Sequence, residues 1–377
     1  MPTKYDVAVI GAGIVGLAHA WMAVRRGLSV LVVDRTSVAQ GASVRNFGMI
    51  WPIGQPAGEL YGTALRSREL WLELARENAV DLAECGSIHL AHRDDELAVL
   101  QEFCDQGTHA AEMITADQVQ QLSPLANLTE LRGGMLSRTE ARVDPRKASA
   151  GIARWLSEQH DVTFQFDTAV CQVSAGSISA SDGQSWQAER IIVCGGSDLL
   201  TLFPQQLQQA GLKLCKLQML STPTQQQLQP DSPHIASGLT LRHYTSFEAC
   251  PGHQQLRQRI ASETPELDRF GIHVMASVMP DRRVILGDSH VYDNEVTPFD
   301  SIEINELILR ELRKIIQLHD WNISEQWHGL YAKHPQLPVV EAEVEPGVHI
   351  CTGTGGAGMT MSFGLADRIW NRWAGEY

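Results

Sequence analysis

Gly11, Gly13 and Gly16, with Asp34 further along, are the residues of this chain whose types and spacing best suit a phosphate-linked ligand. Gly11 permits a tight turn, Gly13 lets the backbone approach a pyrophosphate, and Gly16 lets a helix pack closely on a strand. Ala12, Ile14 and Val15 lie between them. Backbone N–H groups at such a helix start, together with the helix dipole, attract anionic oxygens. Asp34 follows Gly11 by 23 positions, where a carboxylate accepts from ribose hydroxyls. A glycine motif alone is a weak signal; here strand, helix, second strand and acid are all in place, and the expected chemistry is dinucleotide binding. A second cluster, Gly353-Thr-Gly355-Gly356-Ala-Gly358, runs into Met359 and Thr360 at the start of another helix. Backbone N–H groups there suit the negative charge that a reduced flavin carries near N1 and O2. One motif opens the sequence and the other closes it, which points to FAD rather than NAD.

The elements that must position these residues follow from hydrophobic patterning. Val7–Ile10 and Val30–Val33 are apolar runs expected as buried strands, with a helix between them to about Arg26. Val348–Cys351 is expected as a strand and Met359–Trp373 as the last helix. Residues 58–78, 94–107 and 303–319 have helical spacing. Residues 162–173, 185–194, 271–278 and 283–287 alternate as strands. The Gln-rich stretch from Gln205 to Gln229 reads as a connection, and Arg138–Arg146 as an interdomain segment with solvated charges. The expected fold is α/β. A Rossmann-like FAD-binding domain is assembled from residues 1–85, 145–215 and 325–377. A second domain built on an antiparallel sheet takes residues 86–144 and 216–324 and holds the substrate.

The net charge of −14 argues against a nucleic-acid partner. No apolar stretch is long enough for a membrane span, and the N-terminus has no secretory pattern. The seven cysteines are scattered, odd in number and lack a CxxC pair. They read as reduced thiols of a cytoplasmic protein, and no metal-site spacing is present. Nothing in the sequence fixes the oligomeric state.

These pieces, in this order, resemble the glycine oxidase, sarcosine oxidase and D-amino-acid oxidase superfamily of FAD enzymes. The resemblance runs nearly end to end. It rests on Gly11–Gly16 with Asp34-Arg35, Gly41-Ala-Ser-Val-Arg-Asn-Phe-Gly48, Cys194-Gly-Gly-Ser197, Trp327-His-Gly-Leu-Tyr-Ala-Lys-His-Pro335 and Gly353–Met361. It implies that Asp34 and Arg35 hold the adenosine ribose and its surroundings. By the same resemblance Ser43, Arg45, Asn46, Phe47, Gly48 and Met49 run along the pyrophosphate and flavin ring. Val170 meets adenine through its backbone, and Gly195 belongs to the nucleotide sheet. Gly353, Gly355, Gly356, Gly358, Met359 and Thr360 cover the flavin's pyrimidine edge. Some relatives attach the flavin through a Cys or a His; this chain has Gly329, Asn46 and Phe47 there, so the FAD is expected to be non-covalent. The stretch Ser43–Gln55 is similar to a bacterial subgroup associated with phosphonate catabolism, whose members are proposed to oxidise aminophosphonates or their N-methyl derivatives.

One departure shapes the expected substrate. Many relatives grip the substrate carboxylate with an Arg after the Trp-x-Gly-Leu stretch, and here that residue is Tyr331. The remaining candidates are Lys333, His334, Arg242, His243 and Tyr244, with His290 and Arg142 behind them. Several separate donors match a tetrahedral oxyanion better than one bidentate fork. The expected reaction is oxidation of a small amine, with a hydride passing from Cα to flavin N5 and the imine hydrolysing to an aldehyde or keto product. Oxygen or another acceptor then takes the electrons. Oxidation of an amino acid such as glycine, sarcosine or a D-amino acid, or of a hydroxy acid, is the alternative. A flavin carrier without a substrate is the least favoured reading.

Overall fold

The fold, obtained as a computed structural model, describes residues 4–375. Two large sheets organise it, each with its own apolar core. The first is built on five parallel strands in the order Thr163–Gln165, Val30–Val33, Lys4–Ile10, Ser185–Val193, Val348–Thr352. Its central strands are apolar runs buried on both faces, as a parallel sheet covered on two sides requires. The hairpin Val170–Ser174 with Ser177–Ala180 and the strand Val340–Glu345 extend it antiparallel. The helices Ile14–Val24, Glu59–Arg76, Pro145–His160 and Gly358–Ala374 contribute to the core on one face of this sheet.

The second sheet has nine strands, eight of them ordered Val291–Asp293, Lys213–Ser221, Val284–Gly287, Met275–Val278, His234–Ala236, Ser87–Ala91, Gly133–Ser137 and Ala111–Ile114. It is antiparallel except where His234–Ala236 runs parallel to Ser87–Ala91. Its ninth strand, Glu325–Lys333, lies antiparallel along the whole of Lys213–Ser221. A small sheet of Met49–Ile50, Ala141–Val143 and Leu82–Ala83 joins the two cores: Met49 and Trp51 belong to one, Ile50, Ala141 and Val143 to the other. Among the described residues no helix is long and apolar enough to cross a membrane.

Three expectations are corrected. The stretch 205–229 is no mere connection, since it contains Lys213–Ser221, a central strand buried on both faces. Its polar residues are paired inward: Lys216 Nζ donates to Thr297 O at 2.9 Å, and Gln218 Nε2 to Asn305 Oδ1 at 2.7 Å. Residues 325–333, expected with the nucleotide segments, hydrogen-bond into the second sheet instead. The charges of Arg138–Arg146 are not all solvated, because Glu140 and Arg142 are 0% and 2% exposed.

Candidate functional site

The glycine turn is built as a cradle. A Cβ on Gly11 would lie 2.4 Å from Cys194 O, and one on Gly16 1.9 Å from Gly11 O, so neither position takes a side chain. Gly13 ends the turn with no side-chain cap, and Ile14 N donates to Ser43 Oγ at 2.9 Å. Asp34 closes the unit from the end of its strand. Its Oδ2 accepts from Ala12 N at 2.6 Å, and its Oδ1 from Thr36 N and Thr36 Oγ1 at 2.8 Å. The carboxylate thus shapes the turn itself, with three of its roughly four acceptor sites occupied by the chain. Arg35 is exposed and pairs with Asp198 at 2.8 Å, while Gly195 O accepts from Asp198 N. Val170 begins an edge strand and is buried. A cavity of about 290 Å³ opens over Ala12, Ser37, Phe164 and Phe166. Another of about 610 Å³ is lined by Val44, Arg45, Arg146, Asp300, Trp327 and His328. Neither includes the C-terminal glycine turn.

The loop after Ser43 is locked from within. Asn46 Nδ2 donates to Ala42 O at 2.7 Å, and Asn46 Oδ1 accepts from Gly48 N at 2.7 Å. Its side chain therefore fixes the loop rather than facing a ligand. Arg45 Nη1 donates to His328 O at 3.2 Å. Gly48 is left-handed at φ +71°, and a Cβ there would meet Val143 O at 2.0 Å. Phe47 is buried against Gly287 and Met49 pairs with Arg142.

The C-terminal turn faces this loop. Gly353 and Gly355 are left-handed at φ +77° and +58°, and the helix from Gly358 starts with no side-chain cap. Thr360 Oγ1 accepts from Trp51 N at 2.9 Å, and Met359 O from Trp71 Nε1 at 2.8 Å. Tyr331 brings the second sheet to this turn: its hydroxyl lies 3.4 Å from where a Cβ on Gly356 would stand.

From Tyr331 a continuous wall of aromatic groups crosses the second sheet. Tyr292 Oη and Tyr331 Oη are 3.5 Å apart, and Lys333 Nζ sits 5.4 Å over the Tyr292 ring. His290, His273 and His243 follow, then Tyr244, whose hydroxyl donates to Met275 Sδ at 3.3 Å, and Trp51. Burial pushes His290 down to about 3 and His243 and His273 well below the ordinary imidazole range, so all three are neutral. Burial likewise holds the Tyr244 and Tyr331 phenols above their ordinary value, so both keep their protons.

Tyr244, His243, Tyr331 and Lys333 are therefore brought together, and two other candidates are not with them. Arg242 spends its guanidinium inside its own region, on Asp268 Oδ1 at 2.7 Å and on Ile272 O at 2.7 Å. That makes it a brace for the turn that carries His243, not a substrate contact. His334 points to the surface, where its Nδ1 accepts from Gln336 N and Leu337 N. The sequence reading missed His273, Tyr292 and Trp51. His273 is 30 residues from His243 and 17 from His290, a spacing with no periodic signal. Arg142 is buried in the small sheet; Nη2 donates to Pro230 O, and Nη1 has no partner among the described residues.

A parallel sheet with a glycine turn at its strand end, facing a second sheet across a second glycine turn, has the layout of a dinucleotide-binding protein. Residues 6–371 match the family model described as FAD dependent oxidoreductase, and the chain belongs to this DAO family. It is 27% identical over 216 residues to the N-methyl-L-tryptophan oxidase of Escherichia coli (strain SMS-3-5 / SECEC). That match covers 54% of this chain and 56% of the relative, so the chain spans little more than half of the curated relative's length. Its fold is similar to that of glycine oxidase from Bacillus cereus ATCC 14579, with TM-score 0.78 and 18% identity over 99% of this chain and 96% of that one. It is also similar to L-alpha-glycerophosphate oxidase from Mycoplasma pneumoniae with FAD bound, with TM-score 0.74 and 17% identity over 98% and 95%. FAD is the cofactor of the family, and the two uncapped helix starts and the side-chain-free turns fit its pyrophosphate and ring.

The flavin is expected to be held without a covalent bond, because Gly329, Asn46 and Phe47 offer no linking atom. Acid precipitation of the purified yellow protein should leave all flavin in the supernatant. Flavin in the washed pellet would overturn this.

Proposed function

We propose that this chain oxidises a small amine bearing an anionic head, with aminophosphonates and their N-methyl derivatives favoured over amino acids. The observation that carries the reading is Tyr331. It stands at the glycine turn where a carboxylate-gripping Arg is common, backed by Tyr292, Lys333 and three neutral histidines. Phenol and ammonium donors on separate side chains suit the three oxygens of a phosphonate better than one planar fork does. FAD, when bound, supplies the acceptor for the hydride of the amine carbon, which carries the two electrons of the oxidation. The chain's own residues bind and orient. Lys333 and the two phenols hold the anionic head, and the wall from His290 to Trp51 excludes water from the reacting carbon. Oxygen or another acceptor completes the cycle, and we place the protein in the cytoplasm on its seven unpaired cysteines.

Anaerobic stopped-flow mixing tests this. Aminoethylphosphonate or its N-methyl derivative should bleach the flavin with higher efficiency than glycine, sarcosine or D-alanine. The reverse order would sink the phosphonate reading and leave an amino-acid oxidase. Bleaching by none of these amines, but by a hydroxy acid, would move the reaction to alcohol oxidation.

A further inference from the structure

We infer that His243, His273 and His290 form a site for a first-row divalent cation of the zinc type, with Asp288 as the fourth group. One ligand nitrogen from each histidine lies within 4.8 Å of the other two. Asp288 enters the same space: its Oδ1 is 3.6 Å from His273 Nε2, and its Oδ2 is 3.7 Å from His290 Nε2. The side chains of His273, His290 and Asp288 are 3%, 5% and 9% exposed. Asp288 Oδ1 and His273 Nδ1 have no hydrogen-bond partner among the described residues. Among the same residues, no Lys or Arg lies within ion-pair distance of Asp288. A buried carboxylate with an unpartnered oxygen beside three imidazoles offers a cation one oxygen ligand and three nitrogen ligands in a single enclosed space.

The donor set also selects. Three imidazoles and one carboxylate suit zinc or a neighbouring first-row ion, whereas calcium and magnesium call for oxygen ligands. His290 already has the arrangement of a metal ligand: its Nδ1 faces Gly271 O at 3.3 Å, and an N–H there leaves Nε2 bare toward Asp288. His273 and Asp288 are held opposite each other by paired backbone bonds, His273 N to Asp288 O at 3.4 Å and Asp288 N to His273 O at 3.3 Å.

One movement is required. The rings of His243 and His273 stack at 3.7 Å with 9° between their planes, and a metal must lie near the plane of each imidazole it binds. His243 is the ring that must turn, because it follows the short turn Gly238–Arg242, whereas His273 is fixed from Asp288 by paired backbone bonds. Closing to metal–nitrogen bonds of about 2.0–2.1 Å brings the nitrogens to roughly 3.3 Å from one another. The ring centroids of His290 and Tyr331 are 6.4 Å apart, which puts the proposed substrate residues beside the cluster, and a zinc ion can expand to a fifth ligand. As that ligand it would take one oxygen of the anionic head; this role, unlike the site, rests on the substrate reading above.

Zinc and FAD are to be measured in the same sample, after the flavin-loaded protein is equilibrated with zinc and freed of excess metal. The expected result is one zinc per flavin. His273→Gln, His290→Gln and Asp288→Asn should each weaken zinc binding by about tenfold or more. His19→Gln, outside the cluster, should leave it unchanged. X-ray absorption at the zinc edge should show nitrogen and oxygen neighbours only. If a variant loses its flavin, chelator-treated and zinc-restored wild-type protein carry the comparison. Absence of zinc from the wild type at equilibrium, or equal zinc in wild type and variants, overturns the site. Zinc bound while chelation leaves aminophosphonate bleaching untouched overturns its substrate role alone. Zinc bound with no amine able to bleach the flavin overturns the proposed function and leaves the site standing.

Discussion

Gly16→Ala is expected to yield a protein that has lost most of its flavin colour. The added Cβ would stand 1.9 Å from Gly11 O and 3.1 Å from Gly11 C. Both are backbone atoms, so no side chain can swing aside. The helix Ile14–Val24 must lift off the strand Lys4–Ile10, and the turn from Gly11 to Gly13 opens with it. Overpacking of this kind costs about 1–3 kcal/mol, which corresponds to a grip on FAD weaker by roughly five- to 150-fold if it falls on the bound form. The flavin-to-protein absorbance ratio, and titration of the apoprotein with FAD, read the effect. Gly62→Ala is the control. Gly62 lies inside the helix Glu59–Arg76 with nothing within 4 Å of an added Cβ. It should keep its flavin and gain about 0.5–1 kcal/mol of stability. Wild-type FAD affinity in Gly16→Ala would remove this turn from the cofactor site.

That turn was legible in the sequence because its signals are local, although Cys194 O and Ser43 close on it from farther along the chain. A run of four apolar residues, glycines at fixed offsets and an acid at a strand end each announce themselves, and Val30–Val33 falls where the pattern put it. Lys213–Ser221 was illegible for the opposite reason. Lys216 and Gln218 look like surface residues, and only the segment 297–305, far along the chain, supplies their partners. The wall of the candidate site is a product of sheet order. His273, Asp288, Tyr292 and Tyr331 come from separate strands or strand ends, and strand register rather than spacing sets them side by side. Charge type misled in the same way. Arg242 and His334 were sound candidates by chemistry, but their donors and acceptors are consumed within a few residues of where they stand or by Asp268.

Stability is expected to fall steeply as pH drops below about 6.5, and buried histidines set the slope, among them His19, His89 and His234. His19, His89 and His234 are buried, and burial is the largest cause holding each at about 3. In the unfolded chain each would titrate near 6.5. Between these values the unfolded state binds more protons than the folded one, so stability rises with pH across that window and is lost on acidification. At pH 5 each group then costs about 2 kcal/mol, and the three together about 6, comparable to the whole stability of an ordinary domain. Glu140 works in the opposite sense. Burial raises its carboxyl above the ordinary range, so its folded form keeps a proton that the unfolded chain releases, and acidification through that window favours folding. Burial raises Glu96 and Asp288 in the same sense, so the measured slope is the histidine contribution less that of these acids. Urea denaturation midpoints at pH 7.5, 6 and 5 measure the slope. His89→Leu provides the decisive comparison, because neither His89 nitrogen has a hydrogen-bond partner among the described residues. An apolar side chain of similar size there leaves no orphaned group, so the variant should be at least as stable at pH 7.5. It should also lose about one proton's worth of the acid slope. An unchanged slope in His89→Leu would mean that water reaches this imidazole and that it titrates as an ordinary histidine.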